Sequence, residues 1–157
     1  MLKVGDRAPR GIAVLDSGGK TVFLSDLLGK PLILYFYPKD GTTGCTKEAC
    51  SIRDWRDDIR KLGAEVLGVS KDSSASHQQF STKHKLNFSL WSDPNHKLMD
   101  AFGTWQKKKF MGREYMGTTR STFLLDPKGK ILHVWEQATP ASHGEEIYTV
   151  LKEMKKK

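Results

Sequence analysis

Two cysteines, Cys45 and Cys50, are the strongest candidate nucleophiles of the chain, and both lie in one stretch, PLILYFYPKDGTTGCTKEACSIRD, at positions 31–54. Thiol chemistry runs through the thiolate, so the surroundings of each sulfur decide whether it reacts. Cys45 follows a glycine-containing turn, Lys39 to Gly44, and falls in or beside the first turn of a helix expected from about Thr43 to Leu62. Unpaired backbone amides and the positive end of the helix dipole favour a thiolate there. Cys45 is therefore a candidate nucleophile. The ordinary alternatives for two thiols are inert burial or metal binding.

Helical spacing separates the two thiols. Cys45, Ala49, Ile52, Ile59 and Leu62 fall near one face, and Cys50 shares its side with Asp54, Asp57 and Lys61. The spacing points Cys45 inward, toward a pocket, and Cys50 outward. Five helical residues rise about 7.5 Å, and a disulfide rarely tolerates Cα atoms more than about 7 Å apart. The two sulfurs cannot bond while this helix is intact.

The flanking elements must hold this turn. Leu32 to Tyr37 is a continuous apolar and aromatic run, the pattern of a strand covered on both faces, and Pro38 ends it. Gly41 and Gly44 give the turn its backbone freedom, Thr42 or Thr43 can cap the helix, and Gly63 stops it. Ala64 to Ser70 is a second buried strand, so strand, helix and strand form a right-handed parallel crossover. The active turn then sits at the carboxyl end of a strand, the usual place for a site in an open α/β sheet.

Around this unit, Gly11 to Asp16 and Thr21 to Leu24 suggest a hairpin about Ser17, Gly18 and Gly19, with a short helix at Ser25 to Leu28. Ser73 to Lys85 fits a surface helix, Phe88 to Trp91 a short strand and His96 to Phe102 another helix. Thr119 to Leu125 and Lys130 to Trp135 alternate as strands joined by the turn DPKG, and Ser142 to Met154 is a final helix with a lysine tail expected to fray. Thr104 to Gly117 shows no clear period.

Composition narrows the function classes. With 157 residues, 38% of them hydrophobic, the chain suits a single domain with a real core. No stretch is long and apolar enough to span a bilayer, and MLKVGDRAPRG lacks a signal-peptide core, so a soluble cytoplasmic protein without a membrane partner is expected. The net charge of +8 is scattered apart from Lys107 to Lys109 and Lys155 to Lys157, and no nucleic-acid motif accompanies it. A solvated basic surface without a specific nucleic-acid partner follows. The five histidines, His77, His84, His96, His133 and His143, show no metal-binding spacing with either cysteine, and GTTG lacks the GK[ST] ending of a phosphate loop.

The segment YFYPKDGTTGC resembles the active site of peroxiredoxins, in particular the Q-type or bacterioferritin-comigratory group. The family pattern of Pro, three residues, Thr, two residues and Cys is met by Pro38, Thr42 and Cys45. Glu48, the SDP at Ser92 to Pro94 and TTRSTFLLDPKG from Thr118 onward extend the resemblance over nearly the whole chain. It implies a thioredoxin-like α/β fold, a mixed central sheet flanked by helices, with an N-terminal hairpin and an inserted β-α element. It implies a peroxidase acting on hydrogen peroxide or alkyl hydroperoxides without cofactor or metal. Cys45 would be the peroxidatic cysteine and Cys50 the resolving one, joined in an intramolecular disulfide that a thioredoxin-like reductant reopens.

By position, Thr42 would hydrogen-bond the peroxide, Pro38 would shield the thiolate, and Arg120 would be the active-site arginine. Glu48, one helical turn after Cys45, is a candidate to orient that arginine, with an exposed helix glutamate as its ordinary alternative. Arg53 and Asp54 are taken as surface or packing residues. A monomer is expected. The competing functions are a general disulfide reductase, although the pair is not CxxC, and a basic binding or chaperone-like module.

Overall fold

The computed structural model describes residues 1–156. Its sheet has seven strands in the order β2-β1-β5-β4-β3-β8-β9. These are β1 (Val14–Leu15), β2 (Thr21–Val22), β3 (Leu32–Phe36), β4 (Glu65–Ser70), β5 (Ser89–Ser92), β8 (Ser121–Leu125) and β9 (Ile131–Trp135), while β6 (Trp105–Phe110) and β7 (Arg113–Thr118) pair only with each other. Strands β3, β4 and β5 are parallel, β8 pairs antiparallel with β3 and β9 antiparallel with β8, and β1 pairs antiparallel with β5. The helices are α1 (Thr43–Lys61), α2 (Ser74–His84), α3 (Lys97–Phe102) and α4 (His143–Lys155). Of the lysine tail, Lys157 lies outside the described residues.

The central strand explains why the site is rigid on one side. All five residues of β3 are buried, and its side chains alternate between two cores. Leu32, Leu34 and Phe36 pack with Leu98, Met99 and Phe102 of α3 and with Phe123 and Leu125 of β8. Ile33, Tyr35 and Tyr37 pack with Cys45, Ala49 and Ile52 of α1, Phe80 of α2 and Ile147 of α4. Full burial of such a side chain is worth about 1.5–3 kcal/mol, so the turn leaving the carboxyl end of β3 starts from a firmly held point. Gly68 of β4 admits the Tyr35 ring, since a Cβ there would lie 2.7 Å from Tyr35 Cε1.

Helix α1 ends as its glycine foretells. Gly63 has φ +93°, its N–H donates to Arg60 O, and Ala64 N–H reaches back to Ile59 O, the paired bonds of a Schellman cap. The unassigned segment Thr104 to Gly117 is the β6–β7 hairpin. It escaped the pattern search because it lies outside the main sheet and exposes most of its side chains, which removes the apolar alternation that marks a half-buried strand. Strand β8 begins at Ser121 rather than Thr119, so Arg120 precedes the strand: Thr119 N–H bonds Thr104 O, and Arg120 O accepts from Ala138 N–H.

Candidate active site

Cys45 sits in the first turn of α1 and is only 1% exposed, and both cysteines are free thiols. Thr42 holds the N-cap position but does not cap: its hydroxyl donates to Lys39 O at 3.0 Å, closing the preceding turn instead. With no side-chain cap among the described residues, the first N–H groups of α1 stay available beside the thiol. Cys50 is half-buried, less outward than its spacing implied, while Asp54, Asp57 and Lys61 of the same side are exposed. Its neighbour Ser51 accepts a bond from Gly144 N–H at 2.9 Å, and a Cβ at Gly144 would lie 2.3 Å from Ser51 O. The amino end of α4 is thus docked on α1 beside the second cysteine.

Arg120 and Glu48 complete the cluster. The guanidinium donates through Nη1 to Glu48 Oε1 at 3.0 Å, and its Nη2 would lie 3.0 Å from a Cβ at Gly44, so any larger residue at Gly44 would displace it. Burial works against the Arg120 charge, but Cys45 and Glu48 more than offset it and raise its pKa. Glu48 is fully buried rather than exposed, and its Oε2 has no partner among the described residues. Desolvation therefore dominates and lifts its pKa to about 7 despite Arg120, with Glu146 of α4 pushing the same way.

Sequence reasoning missed the network on the other side of the turn. Asp40 accepts from Tyr37 Oη at 2.5 Å and Ser76 Oγ at 2.8 Å, and His77 Nδ1 lies 2.7 Å from its Oδ2. Its own N–H donates to Asp72 Oδ2 at 2.7 Å, and His77 Nε2 lies 3.0 Å from Trp91 O. Burial alone would raise the Asp40 pKa, but the bonds from His77, Tyr37 and Ser76 outweigh it and hold the carboxyl below its usual range. Asp40 lay in plain view inside PKDG. Its partner His77, 37 positions away, carried no local signal.

Pro38 and Arg120 line a cavity of about 560 Å³ whose other walls include Lys108 and Tyr115 of the hairpin, Thr119 and Gln137. Cys45 does not line it. The sulfur belongs to the core cluster of Tyr35, Tyr37, Ala49 and Ile52 on the α1 side of the sheet. The structure thus brings Cys45, Glu48 and Arg120 together, sets Pro38 at the mouth, and leaves Thr42 exposed with its hydroxyl turned toward Lys39.

A buried thiol at a helix amino end, on a βαβ crossover and beside an arginine, defines a thiol-based redox enzyme class. The comparisons make it specific. The AhpC/TSA family pattern matches residues 4–134. The peroxiredoxin Bcp of Bacillus subtilis (strain 168) is 44% identical over 156 residues, covering 99% of each chain, and that of Escherichia coli (strain K12) is 42% identical, covering 97% of each. Among solved structures, a PrxQ variant of Xylella fastidiosa superposes with a TM-score of 0.92 at 34% identity, covering 99% of this chain and 98% of its own. The bacterioferritin comigratory protein of Xanthomonas campestris, studied for alkyl peroxide reduction, gives 0.89 at 35% identity, covering 97% and 99%. The chain belongs to the AhpC/TSA family. It has the thioredoxin-like fold of these peroxiredoxins and is a thiol-dependent peroxidase.

Proposed function

We propose that Cys45 is the peroxidatic cysteine and Cys50 the resolving one. The Cys45 thiolate attacks one peroxide oxygen and the O–O bond breaks. The electron pair leaves with the second oxygen, which takes a proton as water or alcohol, and Cys45 becomes a sulfenic acid. The Cys50 sulfur then displaces water from it and forms a Cys45–Cys50 disulfide. A thioredoxin-like dithiol returns two electrons by exchange and is itself oxidised to a disulfide.

The observation that carries this reading is the placement of Cys45: buried, at the uncapped amino end of α1, with the Arg120 guanidinium bonded to Glu48 beside it. Backbone N–H groups and Arg120 favour negative charge on the leaving oxygen. Thr42 serves the same purpose once its hydroxyl swings from Lys39 O to the peroxide, and Pro38 covers the sulfur. A cavity of about 560 Å³ is far larger than hydrogen peroxide requires, which supports alkyl hydroperoxides as substrates too. No helix among the described residues is long and apolar enough to cross a membrane. A cytoplasmic location and action as a monomer complete the proposal.

One equivalent of hydrogen peroxide followed by mass measurement tests it. The parent should lose two hydrogens to a Cys45–Cys50 disulfide, Cys50→Ser should gain one oxygen on Cys45, and Cys45→Ser should be inert. Equal peroxide reaction in both variants would overturn the roles.

A further inference from the structure

The β6–β7 hairpin concentrates features that its own stability does not require. Among the described residues, four of the five large apolar side chains in the exposed set belong to it: Phe110 at 66%, Met111 at 87%, Tyr115 at 50% and Met116 at 49%. Its turn places Met111 and Gly112 at φ +50° and +79°, and a methionine is poorly suited to that conformation. Solvated turns favour Asn-Gly or Asp-Gly here, so folding alone gives no reason for an exposed methionine.

The hairpin is also asymmetric in charge. Cross-strand partners share a face, so Lys108 with Tyr115 and Phe110 with Arg113 occupy one side, and Lys107 with Met116 and Lys109 with Glu114 the other. Glu114, the only acid of the hairpin, lies on the second face and is paired with Lys107 at 2.7 Å. The first face therefore carries cations and aromatic rings with no acid. It leads into the active-site cavity, where Lys108 and Tyr115 stand with Arg120. Gly117 lets both side chains fold that way, since a Cβ there would lie 3.2 Å from Tyr115 Cε2 and 3.3 Å from Lys108 Cδ. Lys108 is close enough to feel both Arg120 and Cys45.

We propose that this hairpin is the surface on which the dithiol reductant docks, and that the docking face of that reductant is apolar with an acidic rim. The inference rests on the disulfide-recycling reading above, which requires a thiol donor to approach this end of the molecule. Charge complementarity selects the occupant: a cationic, acid-free face around exposed rings discriminates against basic partners and steers acidic ones. Phe110 and Met111 supply the apolar contact, and Arg113 with Lys108, the cations of the acid-free face, the steering charge.

The test separates the reductant from the chemistry. Turnover of the parent and of the double variant Phe110→Ser, Met111→Ser is measured with a bacterial thioredoxin and, separately, with dithiothreitol. The KM for thioredoxin should rise about tenfold or more, with the peroxide step and dithiothreitol-supported turnover at parent values. The variant Arg113→Gln should raise the same KM at low ionic strength and flatten its salt dependence. An unchanged KM in both variants would overturn the proposal, as would equal loss with dithiothreitol. So would a parent dimer that becomes a monomer in the first variant, or its loss of binding to phosphatidylserine vesicles with KM intact, because the occupant would then be a second copy or a lipid surface. A parent that turns over with dithiothreitol but not with thioredoxin would instead sink the recycling reading itself.

Discussion

Two buried carboxylates flank the turn that carries Cys45, and they are treated in opposite ways. Asp40, on the β3 side, receives Tyr37, Ser76 and His77 and is held charged below the usual carboxylate range. Glu48, on the α1 side, receives only Arg120, leaves one oxygen unpartnered, and is lifted to about 7. One side of the site is therefore a satisfied anchor and the other is poised. The proposed cycle draws on that division, since a Cys45–Cys50 disulfide would have to unwind α1 without dismantling the turn that presents Cys45.

The comparison is most sharply broken at Asp40. Asp40→Ala strands Tyr37 and His77 in the interior, and removing one member of a buried pair costs about 3–5 kcal/mol, to be read by urea denaturation. A loss below about 1 kcal/mol would show that the anchor is no firmer than a surface pair. On the poised side, Arg120→Met should slow the peroxide step by about two powers of ten, roughly 3 kcal/mol. Its stability should change less, because Glu48 can take up a proton when its cation is gone. Stopped-flow rates near the parent's would make Arg120 structural.

Glu48 adds a pH dependence of known sign. Its folded pKa of about 7 lies above the ordinary 4.5, so its share of stability is full below 4.5 and is lost as pH rises through 7. Between pH 5 and 8 that share amounts to about 2 kcal/mol, and Glu48→Gln should abolish it. Denaturation curves with the same pH slope in parent and variant would contradict the poised carboxylate. The smallest effect belongs to Ser51→Ala, which removes the acceptor of Gly144 N–H and should cost about 1 kcal/mol. It should also speed disulfide formation by loosening α1 from α4. Resolution no faster than the parent's would show that this contact does not restrain the opening.

The sheet and the helices were legible because their residues obey periodic patterns. The run Leu32 to Tyr37 announced a doubly covered strand, and the spacing of Cys45, Ala49 and Ile52 gave the buried face of α1. Glu48 lies one residue from that face and pairs across 72 positions, so spacing alone left it between solvent and site. Asp40 and His77 were not paired for the same reason: a contact between a turn and a distant helix leaves no trace in local periodicity. The hairpin, exposed on both faces, offered no pattern at all. Thr42 was correctly placed at the helix start, yet its hydroxyl satisfies Lys39 O, a choice between two nearby partners that sequence does not make.

Hydrogen exchange on the protein carrying a mass-confirmed Cys45–Cys50 disulfide tests the division between anchor and poised side directly. Amides from about Thr43 to Arg53 should exchange faster than in the dithiol form. Tyr37 and Asp40, whose N–H groups bond Val69 O and Asp72, should stay protected in both. An intact, protected α1 in the disulfide form, or an anchor that opens along with it, would contradict the account.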